Sequence, residues 1–207
     1  MFVPSLARRP STSVAVTLPD GGGALIRPLR PGEREPLLEV FAGLSAQSRA
    51  SRYLVAMPRL SEAYVRHLSA TDGLTSVAWL ATVAGRAAGI GRYAVMVEDP
   101  CAVDVALEVV DDHQRRGLGA VLLDAVTTLA AANGVRRLHA TLLPHNEGSR
   151  RLISRVGVRL RLEEGLLEGT APLRLLDPPR VDRRAVVELA RRTTPITSGP
   201  AWTAPCA

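Results

Sequence analysis

The chain of 207 residues contains no lysine; all 26 of its basic residues are arginine. That absence removes whole chemistries: no Schiff-base lysine, no pyridoxal phosphate lysine, and no Gly-Lys phosphate loop of the Walker type. Aromatic residues make up only 3% of the chain, so its core must be aliphatic, and few flat faces are left for stacking nucleic-acid bases. Nucleic-acid binding is therefore not favoured despite a net charge of +6, since the arginines are scattered in pairs. The two cysteines, Cys101 and Cys206, are too few for a disulfide framework. The four histidines show no metal-binding spacing, so no metal is expected. No apolar run is long enough to span a bilayer, and the charged N-terminus lacks the apolar stretch of a secretory signal. A reduced, cytoplasmic location is expected, with no membrane partner.

With 46% hydrophobic residues, the chain can bury the core of one globular domain. Residues 1–23 are rich in Pro, Ser, Thr and Gly and read as a flexible arm. Residues 24–177 read as the domain. Residues 178–207 begin at Pro178-Pro179 and read as a tail, in which residues 181–191 could form a short helix. Within the domain, apolar periodicity predicts strands over 24–30, 76–83, 87–97, 103–110, 136–142, 158–162 and 167–175. Helices are expected over 33–44, 61–68, 118–132 and 146–155. The whole is an α/β arrangement, a mixed twisted sheet of about six to seven strands flanked by helices.

The most informative stretch is Gln114-Arg115-Arg116-Gly117-Leu118-Gly119-Ala120, between an alternating strand and the most periodic helix. Glycines at a strand-to-helix turn let backbone N–H groups come close to an anion, and the helix N-terminus adds a positive dipole end. Arg115 and Arg116 add charge beside it. This is a pyrophosphate cradle. It lacks the third glycine of a dinucleotide-binding fingerprint, since Leu122 stands there, and no acidic residue follows about 20 positions on.

The segment resembles the Gln/Arg-x-x-Gly-x-Gly/Ala signature of the GNAT superfamily of N-acetyltransferases. The resemblance runs from about Leu25 to Leu175. It is sharpest toward bacterial protein lysine acetyltransferases that regulate acyl-CoA synthetases. Further segments carry it: Ile26-Arg27-Pro28-Leu29-Arg30-Pro31, Leu44-Ser45-Ala46-Gln47-Ser48-Arg49, Glu108-Val109-Val110-Asp111-Asp112-His113 and Leu142-Leu143-Pro144-His145-Asn146. The resemblance implies a GNAT fold, acetyl-CoA as acyl donor, and direct attack of an amine on the thioester in a ternary complex. It implies a pyrophosphate held by Gln114, Arg115, Arg116, Gly117, Leu118, Gly119 and Ala120. It further implies that the backbone of Val109, Val110 and Asp111 pairs with the pantetheine arm beside a β-bulge, and that Asn146, Ser149 and Arg150 meet the cofactor from the last helix.

Two carboxylates are candidates for the general base, Asp104 and Glu108. They share a strand face, and at about 3.3 Å per residue stand roughly 13 Å apart, too far for a tight pair. A glutamate occupies the position of Asp104 in related lysine acetyltransferases, and the shorter aspartate reaches less far. Many family members carry a tyrosine as general acid where this chain has Ile153. The acceptor implied is an amine, by nearest resemblance a protein lysine such as one on an acyl-CoA synthetase. A small amine of the antibiotic type and a non-catalytic acyl-CoA-binding regulator remain as alternatives.

Overall fold

A computed structural model describes residues 12–193. The chain opens with two strands, β1 (Val14–Thr17) and β2 (Gly23–Pro28), followed by three eight-residue helices, α1 (Glu35–Ala42), α2 (Ala46–Tyr53) and α3 (Glu62–Ser69). Three antiparallel strands follow: β3 (Ser76–Val83), β4 (Arg86–Val95) and β5 (Ala102–Val109). Helix α4 (Leu118–Ala132), β6 (Arg137–Leu142), α5 (Glu147–Ser154), β7 (Arg161–Glu163), β8 (Leu166–Pro172) and α6 (Arg183–Thr193) complete it. All eight strands form one sheet in the order β1-β2-β3-β4-β5-β6-β8-β7. Among the described strands only β5 and β6 run parallel. The expected α/β fold with a mixed sheet is what forms, with eight strands rather than six or seven. None of the described helices is long and apolar enough to cross a membrane.

The sheet has two unlike faces. On one, α4 is buried along twelve of its fifteen residues, more than an amphipathic surface helix would bury. It lies so near β4 that a Cβ on Gly91 would come within 3.0 Å of Leu122 Cβ and 3.1 Å of Leu107 Cδ2. Only glycine permits that approach. Odd-numbered residues of β5, Val103 and Val105, join the core on this face, with Leu107 and Val109 packed against it. On the other face, α1 to α3 cover β3 to β5 around Leu37, Val40, Phe41, Tyr53, Leu68 and Ile90. Serines start two of these helices: Ser45 Oγ accepts from the N–H of Ser48 and Ser61 Oγ from that of Tyr64, each at 3.2 Å.

Both expected domain boundaries fall inside the packed unit. Residues 14–17 are a sheet strand, with Val14 and Val16 in the core and Leu18 just beyond. A tight turn at Pro19-Asp20-Gly21 returns the chain, Gly21 at φ +81° and Asp20 Oδ1 accepting from Gly22 N–H at 2.9 Å. At the other end, α6 lies against α4, burying Val186 and Leu189. Asp124, fully buried on α4, fastens this segment. Its Oδ2 accepts from the N–H groups of Arg180 (2.6 Å) and Val181 (3.2 Å), and its Oδ1 from Arg183 Nε (3.0 Å) and Nη2 (2.7 Å). Arg183 Nη2 also donates to the Leu176 carbonyl. Residues 1–11 of the expected arm and 194–207 of the expected tail lie outside the described residues.

Removing one partner of a buried charge pair leaves the other uncompensated, a loss of about 3–5 kcal/mol. Asp124→Ala should therefore lower the unfolding free energy by about that amount in urea titration. A chain cut to 24–177 should be destabilised as well, since it loses β1 and the buried side chains of α6. Wild-type stability in both would contradict this description of the termini.

Candidate active site

The site exists because two strands part. β5 and β6 pair at three positions only, Ala102 with Arg137, Val103 with Leu138 and Asp104 with His139. Beyond that rung β5 stays bound to β4 as far as Val109, while β6 stays bound to β8 as far as Leu142. The result is a V-shaped cleft of about 750 Å³ between the strands, with α2, the start of α4 and α5 around its mouth. The β4–β5 ladder is regular from Gly89/Val109 to Val95/Val103 and carries no register shift. The expected β-bulge is therefore absent from this pairing, and the divergence of β6 opens the edge instead. Val110 N–H donates to Ala88 O at one end of the ladder and Met96 N–H to Ala102 O at the other. Alternation then turns the amides of residues 105, 107 and 109 away from β4 and toward the cleft. The Val109 carbonyl is met there by Gln114 Nε2 at 3.1 Å.

The cradle closes one end. Gln114 is its tie: besides Val109, its Nε2 donates to Asp111 Oδ1 (2.9 Å) and Ser48 Oγ (3.2 Å). Asp111 Oδ2 also accepts from Ser45 N–H at 3.3 Å, so the loop is anchored to the start of α2. Arg115 (φ +62°) and Gly117 (φ +92°) turn the chain into α4. Gly117 caps that helix without a side-chain hydrogen bond, and no acidic residue occupies the first turn. The first N–H groups of a fifteen-residue helix thus point outward without a built-in counter-charge. A Cβ added to Gly119 would meet nothing closer than Leu152 Cδ2 at 3.4 Å, so its surface is open to the cleft.

Several expected contacts are redistributed. Arg115 lines the cleft, but the Arg116 guanidinium turns away to Asp20 Oδ2 at 2.5 Å and His113 Nδ1 at 3.2 Å. That pairing holds the Asp20 carboxyl below the usual range. Leu118 buries its side chain in the core and can offer only its backbone. Val110 packs its side chain where a Cβ on Gly43 would stand. Gly117, Gly119, Ala120, Asn146 and Ser149 do line the cleft. Asn146 also caps α5, its Oδ1 accepting from Ser149 N–H at 3.1 Å. Arg150 instead reaches the Pro144 carbonyl at 3.4 Å, and its neighbours Arg151 and Arg155 border the cleft.

Asp104, Ala106 and Glu108 occupy the β5 face opposite α4, and all three line the cleft. Their environments differ sharply. Asp104 is solvent-accessible, yet the walls of the cleft withhold bulk water. That desolvation pushes its carboxyl up, partly offset by the charges of His139 and Arg52. His139, its rung partner, lies between Thr170 Oγ1 (2.9 Å) and Thr141 Oγ1 (3.1 Å). Glu108 is buried, accepts from the Tyr53 hydroxyl at 3.0 Å and faces Arg52 Nε at 3.8 Å. Burial, then the Glu108 charge, drives the Tyr53 hydroxyl far above its usual range. Arg52, Tyr53, Arg92 and His139 also belong to this site, and no motif in the sequence marks them. The one available signal was Arg92, a charge inside an otherwise apolar strand.

Comparison with known proteins agrees with this geometry. The description Acetyltransferase (GNAT) family matches residues 44–158. The Pseudomonas aeruginosa protein named acetyltransferase PA5475 is 34% identical over 148 residues, covering 68% of this chain and 77% of that one. Acetyltransferase Pat of Mycolicibacterium smegmatis is 26% identical over 148 residues, 70% of this chain; the match spans only 44% of that longer protein. Among solved structures, the GNAT domain of S. lividans PAT superposes with a TM-score of 0.72 at 27% identity, covering 80% of this chain and 99% of that domain. Parted strands, an uncapped helix start behind a Gln-x-x-Gly-x-Gly turn, and these relatives together make the chain a member of the GNAT acetyltransferase family.

Proposed function

We propose that this chain transfers an acetyl group from acetyl-CoA to the side-chain amine of a protein lysine, with Asp104 as the general base. The observation that carries the donor reading is the parted β5–β6 edge running up to the uncapped start of α4. Acetyl-CoA supplies an activated acyl group as its thioester. The N–H groups at the start of α4 and the Arg115 guanidinium hold its pyrophosphate. The amides of β5 that face the cleft bind the amide-bearing arm as a sheet edge binds a peptide. Asp104, at the vertex of the cleft, accepts the proton that the incoming ammonium must lose before its nitrogen can attack. The C–N bond then forms as the C–S bond breaks, and the second proton of the attacking nitrogen passes to the departing thiolate, so that coenzyme A leaves as the thiol. Glu108 is less suited to that role, because its carboxylate is already engaged by Tyr53 and Arg52.

The open half of the sheet supports a macromolecular acceptor. Helices α1 to α3 stop short of the far edge, and no residue of β7 or β8 is buried. A folded protein can therefore bring a lysine to Asp104 across β6 and β8. Asp104 and Glu168 present negative charge on that approach, favourable for a cationic side chain. A cytoplasmic setting fits this chemistry, since acetyl-CoA and reduced protein substrates meet there.

Gly119→Glu should fold, since the first atom of the new side chain has ordinary contacts, but the carboxylate would enter the cradle. Calorimetry should show acetyl-CoA affinity weakened by roughly tenfold or more; unchanged affinity would place the donor elsewhere. Asp104→Asn should lower kcat by about 10²–10⁴-fold with acetyl-CoA affinity nearly unchanged. The same variant should be more heat-stable. A carboxyl whose folded pKa is raised costs stability once pH climbs through that value, and the cost is absent below its unfolded pKa. Melting curves should therefore separate mutant from wild type at pH 7 and converge near pH 3. Full turnover in Asp104→Asn with a crippled Glu108→Gln would exchange the two roles.

A further inference from the structure

Among the described residues, four that are not glycine hold a positive φ: Leu54 (+63°), Ala84 (+48°), Arg115 (+62°) and Glu164 (+48°). Ala84 and Glu164 each precede a glycine that is also left-handed, Gly85 (+80°) and Gly165 (+87°). Each pair joins two antiparallel strands, β3 to β4 and β7 to β8, and such a two-residue turn requires both to be left-handed. Arg115 belongs to the cradle turn. Leu54 is different. It closes α2, where a left-handed residue is common but is usually glycine or asparagine. A leucine there carries a strain that glycine would avoid. Strain of this kind persists at sites where the side chain itself is used.

The surroundings of Leu54 say what that use is. It lines the cleft together with Arg52, Asp104, Ala106 and Glu108. The end of α2 is fixed over β5, because Tyr53 donates its hydroxyl to Glu108 at 3.0 Å and Arg52 faces the same carboxylate at 3.8 Å. On this face of β5, Ala106 stands between Asp104 and Glu108, about 7 Å from each along the strand. Its partner in register on β4 is Arg92. Leu54 and Ala106 thus supply a small apolar surface among carboxylates and guanidinium groups. Val105, Leu142 and Ile153, which also border the cleft, bury their side chains in the core instead. A donor whose arm runs from the cradle along Val109 and Leu107 toward Asp104 brings its acyl end to Ala106. We infer that the acyl group is seated between Ala106 and Leu54, and that Leu54 sets the length of acyl chain the cleft accepts. The methyl of an acetyl group fills such a gap, and a longer chain meets the leucine. The inference rests on the reading of this cleft as the donor site and adds an acyl specificity to it.

The test needs no turnover and no acceptor. Coenzyme A, acetyl-CoA and butyryl-CoA are titrated by calorimetry into the full-length protein and into Leu54→Gly and Leu54→Met. Wild type and Leu54→Met should bind butyryl-CoA at least about tenfold more weakly than acetyl-CoA, since the added methylenes overfill the gap. Leu54→Gly should bring the two within about threefold of each other by strengthening butyryl-CoA binding. Its affinity for free coenzyme A should be that of wild type, which also shows that it is folded. Equal binding of both acyl donors in wild type, or undiminished discrimination in Leu54→Gly, overturns the inference. Melting curves test its backbone premise. Leu54→Gly and Leu54→Ala both remove the side chain, but only glycine relieves a left-handed residue, so Leu54→Gly should melt higher. The opposite order, normal for a helical position, would overturn the premise. Coenzyme A bound without acyl discrimination refutes this inference alone, whereas no binding of coenzyme A to wild type refutes the donor reading and the inference with it.

Discussion

Everything in this site follows from the loss of hydrogen bonding between two strands after one rung. Asp104 and His139 are the last paired positions of β5 and β6. Beyond them each strand remains held on its outer side, β5 by β4 and β6 by β8, so both walls of the gap are paired into the sheet. An unpaired strand edge inside a domain is unstable unless something satisfies its amides. On the proposed reading, the amide-bearing arm of the acyl donor satisfies this edge. The two walls also differ in chemistry, since residues alternate across β5: the odd positions hold the core against α4 and the even positions face the acceptor side.

Charge is divided along the same cleft. The start of α4 has no acidic cap and keeps its positive end for an anion. Asp104 is desolvated, which raises its carboxyl against the lowering charges of His139 and Arg52 and fits the base role proposed for it. Glu108, four residues along the same face, is instead tied into Tyr53 and Arg52. The two carboxylates look alike in sequence, and tertiary surroundings alone separate them. Arg115 and Arg116 are a second such pair. One lines the cleft, and the other closes an ion pair with Asp20 in the β1–β2 turn.

What was legible in the sequence were the segments whose local pattern and tertiary role coincide. Gln114 to Ala120 declares a strand-to-helix turn, and the periodic stretch behind it forms the buried helix α4. Helix α2 is not legible in the sequence, because Ala-Gln-Ser-Arg-Ala-Ser-Arg-Tyr shows too little apolar periodicity; its start is set by the Ser45 cap, and only Tyr53 is buried. β1 falls within the expected arm because four residues make a short signal beside Pro and Gly. Its alternating Val14 and Val16 before Pro19-Asp20-Gly21 were nonetheless a hairpin pattern. The docking of α6 depends on Asp124, more than 50 residues earlier, and no local pattern announces such a partner. The same holds for Arg52, whose carboxylate lies on a strand from another part of the chain.

The central claim is that the parted β5 edge and the start of α4 together bind the acyl donor. Amide hydrogen exchange, read residue by residue with and without acetyl-CoA, tests it most directly. In the free protein the amides of Leu107 and Val109 should exchange faster than those of Glu108 and Val110, which are bonded to β4. Acetyl-CoA should slow Leu107, Val109, Leu118 and Gly119 together. Protection confined to another surface, or no change along β5 at saturating acetyl-CoA, would contradict the account.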